Sequence, residues 1–442
     1  MLGKKLKILF WTAPFLIAGM LGAFPFFQQT TVLKDGTKVT LAGVTFGQHH
    51  DFPGQSPEVG LRSLSFSTTN DIMCVWLRHE KGKGRWRPHF GLQVCDQAET
   101  ACVSSDPGVL IQPSDEPNEE LIGFKFPAYP RRDPKIKLIF REWNTNGQPP
   151  SSSASFIISN PKRSTFAKWT TQSLPITQKA GDLDVSLTRF IYGVPFDRFK
   201  KQAEKDPSYQ GVLTAFHIEQ NGQYVTNWQP VSIETSDATG NHLLSGAANN
   251  RREKWEAVMI TGGKLWPDEP AWKLRVEFSR TSEFDDADCW TVKGIPMEPG
   301  NHQDLRPYDE TIPAFAETTN GGVHLKIYSV KRFEHNHAVG IDDQLRIRAA
   351  SPLDSQRLTV MKISDDQNRE IQFGGPMAGS WAAGEYNYGL RELGAAKTIN
   401  VTVALHRSRF AEFIAKPAKF TNTVSTQEMP PAKQELRLER FR

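Results

Sequence analysis

The sequence is short of several things, and each shortage removes a class of protein. Cysteine occurs only as Cys74, Cys95, Cys102 and Cys289, with no Cys-x-x-Cys and no Cys/His spacing, which excludes a closed structural zinc module. Helix-period patterning is scarce, and its best stretch, 195–206, is short and highly charged, so a helical bundle is excluded. The net charge is only +4 over 442 residues with both signs intermixed, so no nucleic-acid surface is expected. Ser104, Ser105, Ser114, Ser151, Ser152 and Ser153 lie outside any Gly-x-Ser-x-Gly elbow or Ser-x-x-Lys context. No catalytic residue, cofactor or metal is assigned.

One shortage is local. Residues 8–27 contain no charge, and Lys4, Lys5 and Lys7 precede them. A run of that length crosses a hydrocarbon core of about 30 Å as a helix, and the lysines favour a cytoplasmic start. The pattern predicts a basic cytoplasmic end at 1–7, a transmembrane anchor helix at 8–27 and the bulk of the chain outside, a single-pass protein of the cell membrane. A cleaved signal peptide is the competing reading. Its apolar core would be shorter, and here Leu21-Gly22-Ala23 runs into Phe24-Pro25-Phe26-Phe27, so the uncleaved anchor is preferred. In a compartment that permits disulfides, the six residues between Cys95 and Cys102 suit a hairpin bridge. Cys74 and Cys289 are left as either buried thiols or partners in a bridge.

What is present is period two. After a turn at Asp35-Gly36, Val39, Leu41, Val44 and Phe46 alternate with polar residues, and similar runs follow at 64–67, 72–77, 121–126 and 136–140. Three segments open alike: Gly36-Thr37-Lys38-Val39-Thr40-Leu41, Gly181-Asp182-Leu183-Asp184-Val185-Ser186-Leu187 and Gly322-Val323-His324-Leu325-Lys326-Ile327, with glycines 145 and 141 residues apart. Trp86-Arg87-Pro88 and Trp228-Gln229-Pro230 recur 50 and 47 residues after the first two glycines. Each unit then has a long alternating strand (135–141, 272–280, 398–406) and a proline exit (156–161, 290–296, 413–417). The expected fold is all-β: the transmembrane helix followed by three tandem immunoglobulin-like antiparallel β-sandwich domains at 28–161, 168–297 and 319–420, with a linker at 298–318 and a flexible tail at 421–442.

The lysine-flanked anchor, Leu33-Lys34-Asp35-Gly36-Thr37-Lys38-Val39-Thr40-Leu41, Val44-Thr45-Phe46-Gly47, Asp237-Ala238-Thr239-Gly240-Asn241 and Glu269-Pro270-Ala271-Trp272-Lys273-Leu274-Arg275-Val276-Glu277-Phe278 resemble a group of uncharacterised single-pass bacterial envelope proteins. The resemblance spans residues 1 to about 297. It implies β-rich extracytoplasmic domains and carries no activity or site residue. The units also resemble immunoglobulin-like sandwiches, without the Cys-Trp-Cys arrangement of the antibody type.

Among possible sites, His49, His50 and Asp51 are the tightest ligand cluster, but neighbours on an extended chain face opposite ways, so a solvated loop is expected. His335 and His337, near Asp342 and Asp343, lack an assignable third ligand. The segment 237–241 has the chemistry of an Asx turn rather than of a calcium or nucleotide loop, and Asp365 and Asp366 are read the same way. Trp86, Trp228, Trp255, Trp266, Trp272 and Trp290 could stack sugars if exposed. Trp86 and Trp228 recur in the repeat as core residues would, and Trp266, beside Leu265 and Pro267, is kept as a surface candidate. Lys81, Lys83, Arg85 and Arg87, spaced by glycine and Trp86, form the densest basic run away from the anchor and suit a hairpin tip reaching an anionic partner. The expected role is non-enzymatic binding, spacing or assembly in the cell envelope, through the membrane at 8–27 and a protein or glycan partner. The alternative is an envelope glycan-binding protein or hydrolase with a site between domains.

Overall fold

A computed structural model describes residues 29–34, 36–51, 65–80, 90–99, 102–104, 110–113, 119–142, 151–160, 166–204, 209–262, 266, 268–280, 284–300, 313–320, 323–332, 343–350, 356–373, 385–391 and 393–421. Strands hold 70 % of them and helix 4 %, so the chain is all-β as its alternation predicts. The stretch 195–206 contributes a 3-10 turn, Asp197–Phe199, and a four-residue helix, Lys200–Ala203. Among the described residues no helix is long and apolar enough to cross a membrane, and the expected anchor at 8–27 lies outside them.

Alternation decides where the first core sits. Val39, Leu41 and Val44 of the strand Lys38–Asp51, with Met73, Val75 and Leu77 of Ser65–Glu80, turn inward from a five-stranded antiparallel sheet. Its strand order is Thr30–Val32, Lys38–Asp51, Ser65–Glu80, Glu119–Phe126, Leu110–Pro113. A four-stranded sheet faces it in the order Cys102–Ser104, Phe90–Cys95, Lys135–Glu142, Ser151–Ser159. The two meet through Phe90, whose ring centroid lies 5.9 Å from Phe124 and 5.5 Å from Phe140. Cys95 and Cys102 are joined by a disulfide, as their spacing predicts, whereas Cys74 and Cys289 are free thiols. Burial pushes the Cys74 thiol up to about 12, against the pull of Lys125.

A second set folds one long sheet over on itself. The strands Ile176–Ala180, Leu183–Pro195, Gln210–Gln220 and Glu256–Thr261 form one half, and Trp228–Asp237, Trp272–Arg280 and Arg409–Ala415 the other. His242–Glu253 serves both, its first half pairing with Trp228–Asp237 and its second with Glu256–Thr261. Phe216 sits between the halves, 5.1 Å from Phe278 and 5.9 Å from Phe413. A third set, Cys289–Pro299, Ala316–Asn320, Val323–Ile327, Val330–Arg332, Asp343–Ala350, Gln356–Asp365, Gln372–Phe373, Glu385–Arg391 and Thr398–Arg407, has a separate core around Leu345, Ile347, Val401 and Val403.

In the first set the exit strand pairs with the long strand before it, Leu138 facing Phe156. The other two exits are exchanged. Trp272–Arg280 pairs with Arg409–Ala415, setting Leu274 opposite Phe413, and Thr398–Arg407 pairs with Cys289–Pro299, setting Val401 opposite Val292. The expected boundaries at 168–297, 298–318 and 319–420 are therefore corrected: residues 289–299 pair within the third set, and 409–419 pair within the second. The reason is chain length. Eight residues (143–150 and 281–288) separate the first two long strands from the strands that follow them, enough for a hairpin, but only Ser408 separates Thr398–Arg407 from Arg409–Ala415. Hairpins need at least about two loop residues, so the chain must run straight on into another sheet. Pro296 does not end its strand either, because residues 297–299 continue in parallel pairing with Val330–Arg332.

The crossing is pinned by polar contacts. Arg407 donates from Nε to Asp288 at 2.7 Å, Ser408 Oγ donates to Glu277 at 2.6 Å, and Arg409 Nε donates to Asp182 at 2.9 Å. Gly181 has φ +66°, and an added Cβ would stand 2.6 Å from Arg409 Nε, so a side chain there would be strained and would have to displace that arginine. A chain ending at Ser408 should lose the second core: limited proteolysis is expected to digest 176–280 while 289–407 resists. Phe413→Ala should lower stability by about 4 kcal/mol in chemical denaturation, since a fully buried phenylalanine leaves a cavity.

Candidate functional site

The residues that converge most tightly lie where the first set meets the second. Residues 127–134 read Pro127-Ala128-Tyr129-Pro130-Arg131-Arg132-Asp133-Pro134, and prolines at three positions stop the segment from joining a ladder. Its backbone groups need side-chain partners instead. Asn160 Nδ2 lies 3.3 Å from the Pro130 carbonyl and 3.0 Å from those of Arg131 and Asp133. From the other side, Asn241 takes the Tyr129 N–H on Oδ1 at 3.1 Å and donates Nδ2 to the Tyr129 carbonyl at 3.0 Å, as a strand neighbour would.

Asn241 is itself fixed by the turn it ends. Asp237 Oδ1 accepts from Thr239 N at 2.8 Å, Thr239 Oγ1 at 2.6 Å and Asn241 N at 3.1 Å, while Oδ2 accepts Asn241 Nδ2 at 2.8 Å. This is the Asx turn that the residues predict, and Gly240 takes φ +92° within it. Asp365 makes a similar turn, accepting from Gln367 N at 2.9 Å and Arg369 N at 2.8 Å. Arg131 completes the seam. Its Nε donates to Asn241 Oδ1 at 2.9 Å, its Nη2 to the Asp71 carbonyl at 2.5 Å, and its guanidinium lies 4.4 Å from the Tyr129 ring centroid.

A carboxylate lies beside it. Arg132 Nε donates to Glu269 Oε1 at 2.8 Å, and Glu269 Oε2 is buried without a partner, as is Trp266 Nε1. Burial pushes the Glu269 carboxyl above its ordinary value, with Asp237 and Asp133 adding to the effect and Arg132 opposing it. Asp133 is raised as well, by burial and then by Asp96 and Asp268. Chemically the cluster holds two bodies together; it aligns no nucleophile with a base. Among the described residues no group of three or more His, Cys, Asp or Glu side chains could hold a metal ion.

Lys81, Lys83, Arg85 and Arg87 lie outside the described residues, as do Trp86, His335, His337 and Asp342. Trp266 is not at the surface: it is 5 % exposed and belongs to the core shared by the first two sets. The Glu269 N–H donates to the Trp266 carbonyl at 3.1 Å. His49 and His50 face opposite ways as expected, but on the strand Lys38–Asp51 rather than a loop. His49 bonds Ser67 at the surface, and His50 is buried against Thr45 and Gly47 and stacked 4.9 Å from Phe66. Trp228 is core, as its recurrence predicts. Compared with protein-family models, curated proteins and solved structures, the chain matches none.

Sequence reasoning undervalued Arg131 and Asn241. The available signal was the proline-punctuated run around Tyr129, whose backbone had to be satisfied by something outside it. Asn241→Ala strips partners from the Tyr129 N–H, the Tyr129 carbonyl and Arg131 Nε. At roughly 1 kcal/mol each it should cost about 3 kcal/mol, read from denaturant midpoints at unchanged slope. Glu269→Gln tests the charge. The folded chain binds the Glu269 proton more tightly than the unfolded chain, so wild-type stability relative to the glutamine variant falls as pH rises through the glutamate range and levels off above the raised value. The melting-temperature difference between variant and wild type should grow in that direction; a difference independent of pH would contradict the charged seam.

Proposed function

We propose that this chain is a membrane-anchored, extracytoplasmic protein of three immunoglobulin-like sandwiches, akin to the single-pass bacterial envelope proteins it resembles, with a non-enzymatic spacing or assembly role. The observation that carries this reading is the way the strand sets are locked together. The first is joined to the second by a buried polar seam, and the second to the third by exchanged edge strands. A spacer must hold its ends at a fixed separation, and each device removes a freedom that an ordinary linker would leave. At the boundary of the first two sets Tyr129, Arg131 and Asn241 are buried and bonded to one another, which favours the spacer over a hydrolase working there. The run Lys81, Lys83, Arg85, Arg87 is the proposed contact for an anionic partner.

Alkaline extraction of membranes together with in-cell photocrosslinking tests this. The intact protein is expected to stay in the membrane pellet, and a photoreactive residue at Lys83 should give one discrete crosslinked species. An alkali-soluble chain beginning near Phe24 would overturn the anchor, and no crosslinked species at Lys83 would overturn the assembly role assigned to that run.

A further inference from the structure

The hairpin formed by His242–Glu253 and Glu256–Thr261 is closed by only Lys254 and Trp255. Two-residue hairpin turns take positive φ at the first loop residue, which is usually glycine or asparagine. Here Lys254 takes φ +46°, a conformation costing a non-glycine residue on the order of 1 kcal/mol, and the next residue is a tryptophan left 52 % exposed. Neither choice helps folding.

The surroundings hold that tryptophan in place. His217 Nδ1 donates to the Trp255 carbonyl at 2.9 Å, and its Nε2 lies 3.0 Å from Glu219 Oε1. Tyr224 stands between the rings, stacked on His217 (5.3 Å between centroids, 15° between planes) and perpendicular to Trp255 (5.3 Å, 79°). Arg252 donates Nη1 to the Tyr224 hydroxyl at 3.1 Å and is tethered by Nη2 to the Trp228 carbonyl at 2.5 Å. Three rings and a partly exposed carboxylate are thus fixed on one sheet face before any ligand arrives.

We propose that this ledge binds a saccharide, with the apolar face of an uncharged pyranose stacked on Trp255 and its hydroxyls hydrogen-bonded to the Glu219 carboxylate and the Tyr224 hydroxyl. Size and polarity select that occupant. Trp255 is about half exposed and Tyr224 and His217 less so, so only part of the roughly 150–250 Å² that each ring could bury is free, short of the roughly 600 Å² per partner that a stable protein interface buries. Lys254, Arg252 and Glu219 at the rim supply hydrogen bonds that an acyl chain would leave unused. A pyranose has one flat apolar face and a ring of hydroxyls, so it matches both parts. The proposal is independent of the spacing role.

The detergent-solubilised full chain should be screened on an array of pyranosides and titrated with chitotetraose and cellotetraose, with saturation-transfer NMR reading the contact. Binding is expected to weaken at least tenfold in Trp255→Ala, with melting temperature unchanged, and to survive in Trp255→Phe, which keeps a stacking face. Lys254→Gly, which relieves the positive φ, should melt higher and bind no better. Failure of every pyranoside on the array, or full affinity in a folded Trp255→Ala, would overturn the assignment.

Discussion

One residue cannot reverse a β-chain, and Ser408 is all that separates a ten-residue strand from a seven-residue one. The rest of the architecture follows from that constraint. Because Arg409–Ala415 cannot fold back beside Thr398–Arg407, it continues into the second set and takes the edge beside Trp272–Arg280. The edge beside Thr398–Arg407 is then open, and Cys289–Pro299, displaced from Trp272–Arg280, fills it. Every edge left by one move is covered by the other, so no long apolar strand is left unpaired there. The result ties the two sets more firmly than a linker could, because separating them requires breaking main-chain ladders and withdrawing Phe413 from a core.

The seam between the first and second sets works by different physics. Its centre is polar and buried, and a buried polar contact contributes little net stability while fixing geometry closely, since any slippage leaves donors and acceptors unmatched. Asn241 satisfies both backbone groups of Tyr129, so a shift of one residue would orphan two groups at once. Glu269 is the imperfect member, with one oxygen unpartnered and its carboxyl raised by burial. Apolar packing around it, including Trp266 and Trp272, supplies the adhesion that the polar centre lacks. Residues 237–241 and the run starting at Glu269 both reach this seam.

Much of the fold was legible because alternation is a local signal. The three long strands at 135–141, 272–280 and 398–406, the glycine turns at Gly36 and Gly181, the bridge between Cys95 and Cys102 and the Asx turns at Asp237 and Asp365 are all visible in short windows. Partner choice was not legible from pattern, because residues 290–296 and 409–415 carry interchangeable apolar alternation and either suits either edge. The difference lay in spacing, eight residues against one. A tryptophan between leucine and proline looks like a surface loop, whereas Trp266 is buried in a core built from strands far away in sequence, which no local pattern displays. The ledge was half visible: Trp255 was named as a ring that would matter if exposed, but its meeting with Tyr224 and His217 depends on strand register.

The strand exchange is tested most directly by disulfide trapping on the outer face of the second set. Arg275 and Glu412 are exposed and directly opposite in the ladder. Cysteines at these two positions should oxidise rapidly to a bridge within one chain, mapped by mass spectrometry, while a control pair at Arg275 and Thr291 should not. Efficient bridging of the control pair instead would mean that each exit strand stays with its own repeat, and that the exchange does not occur.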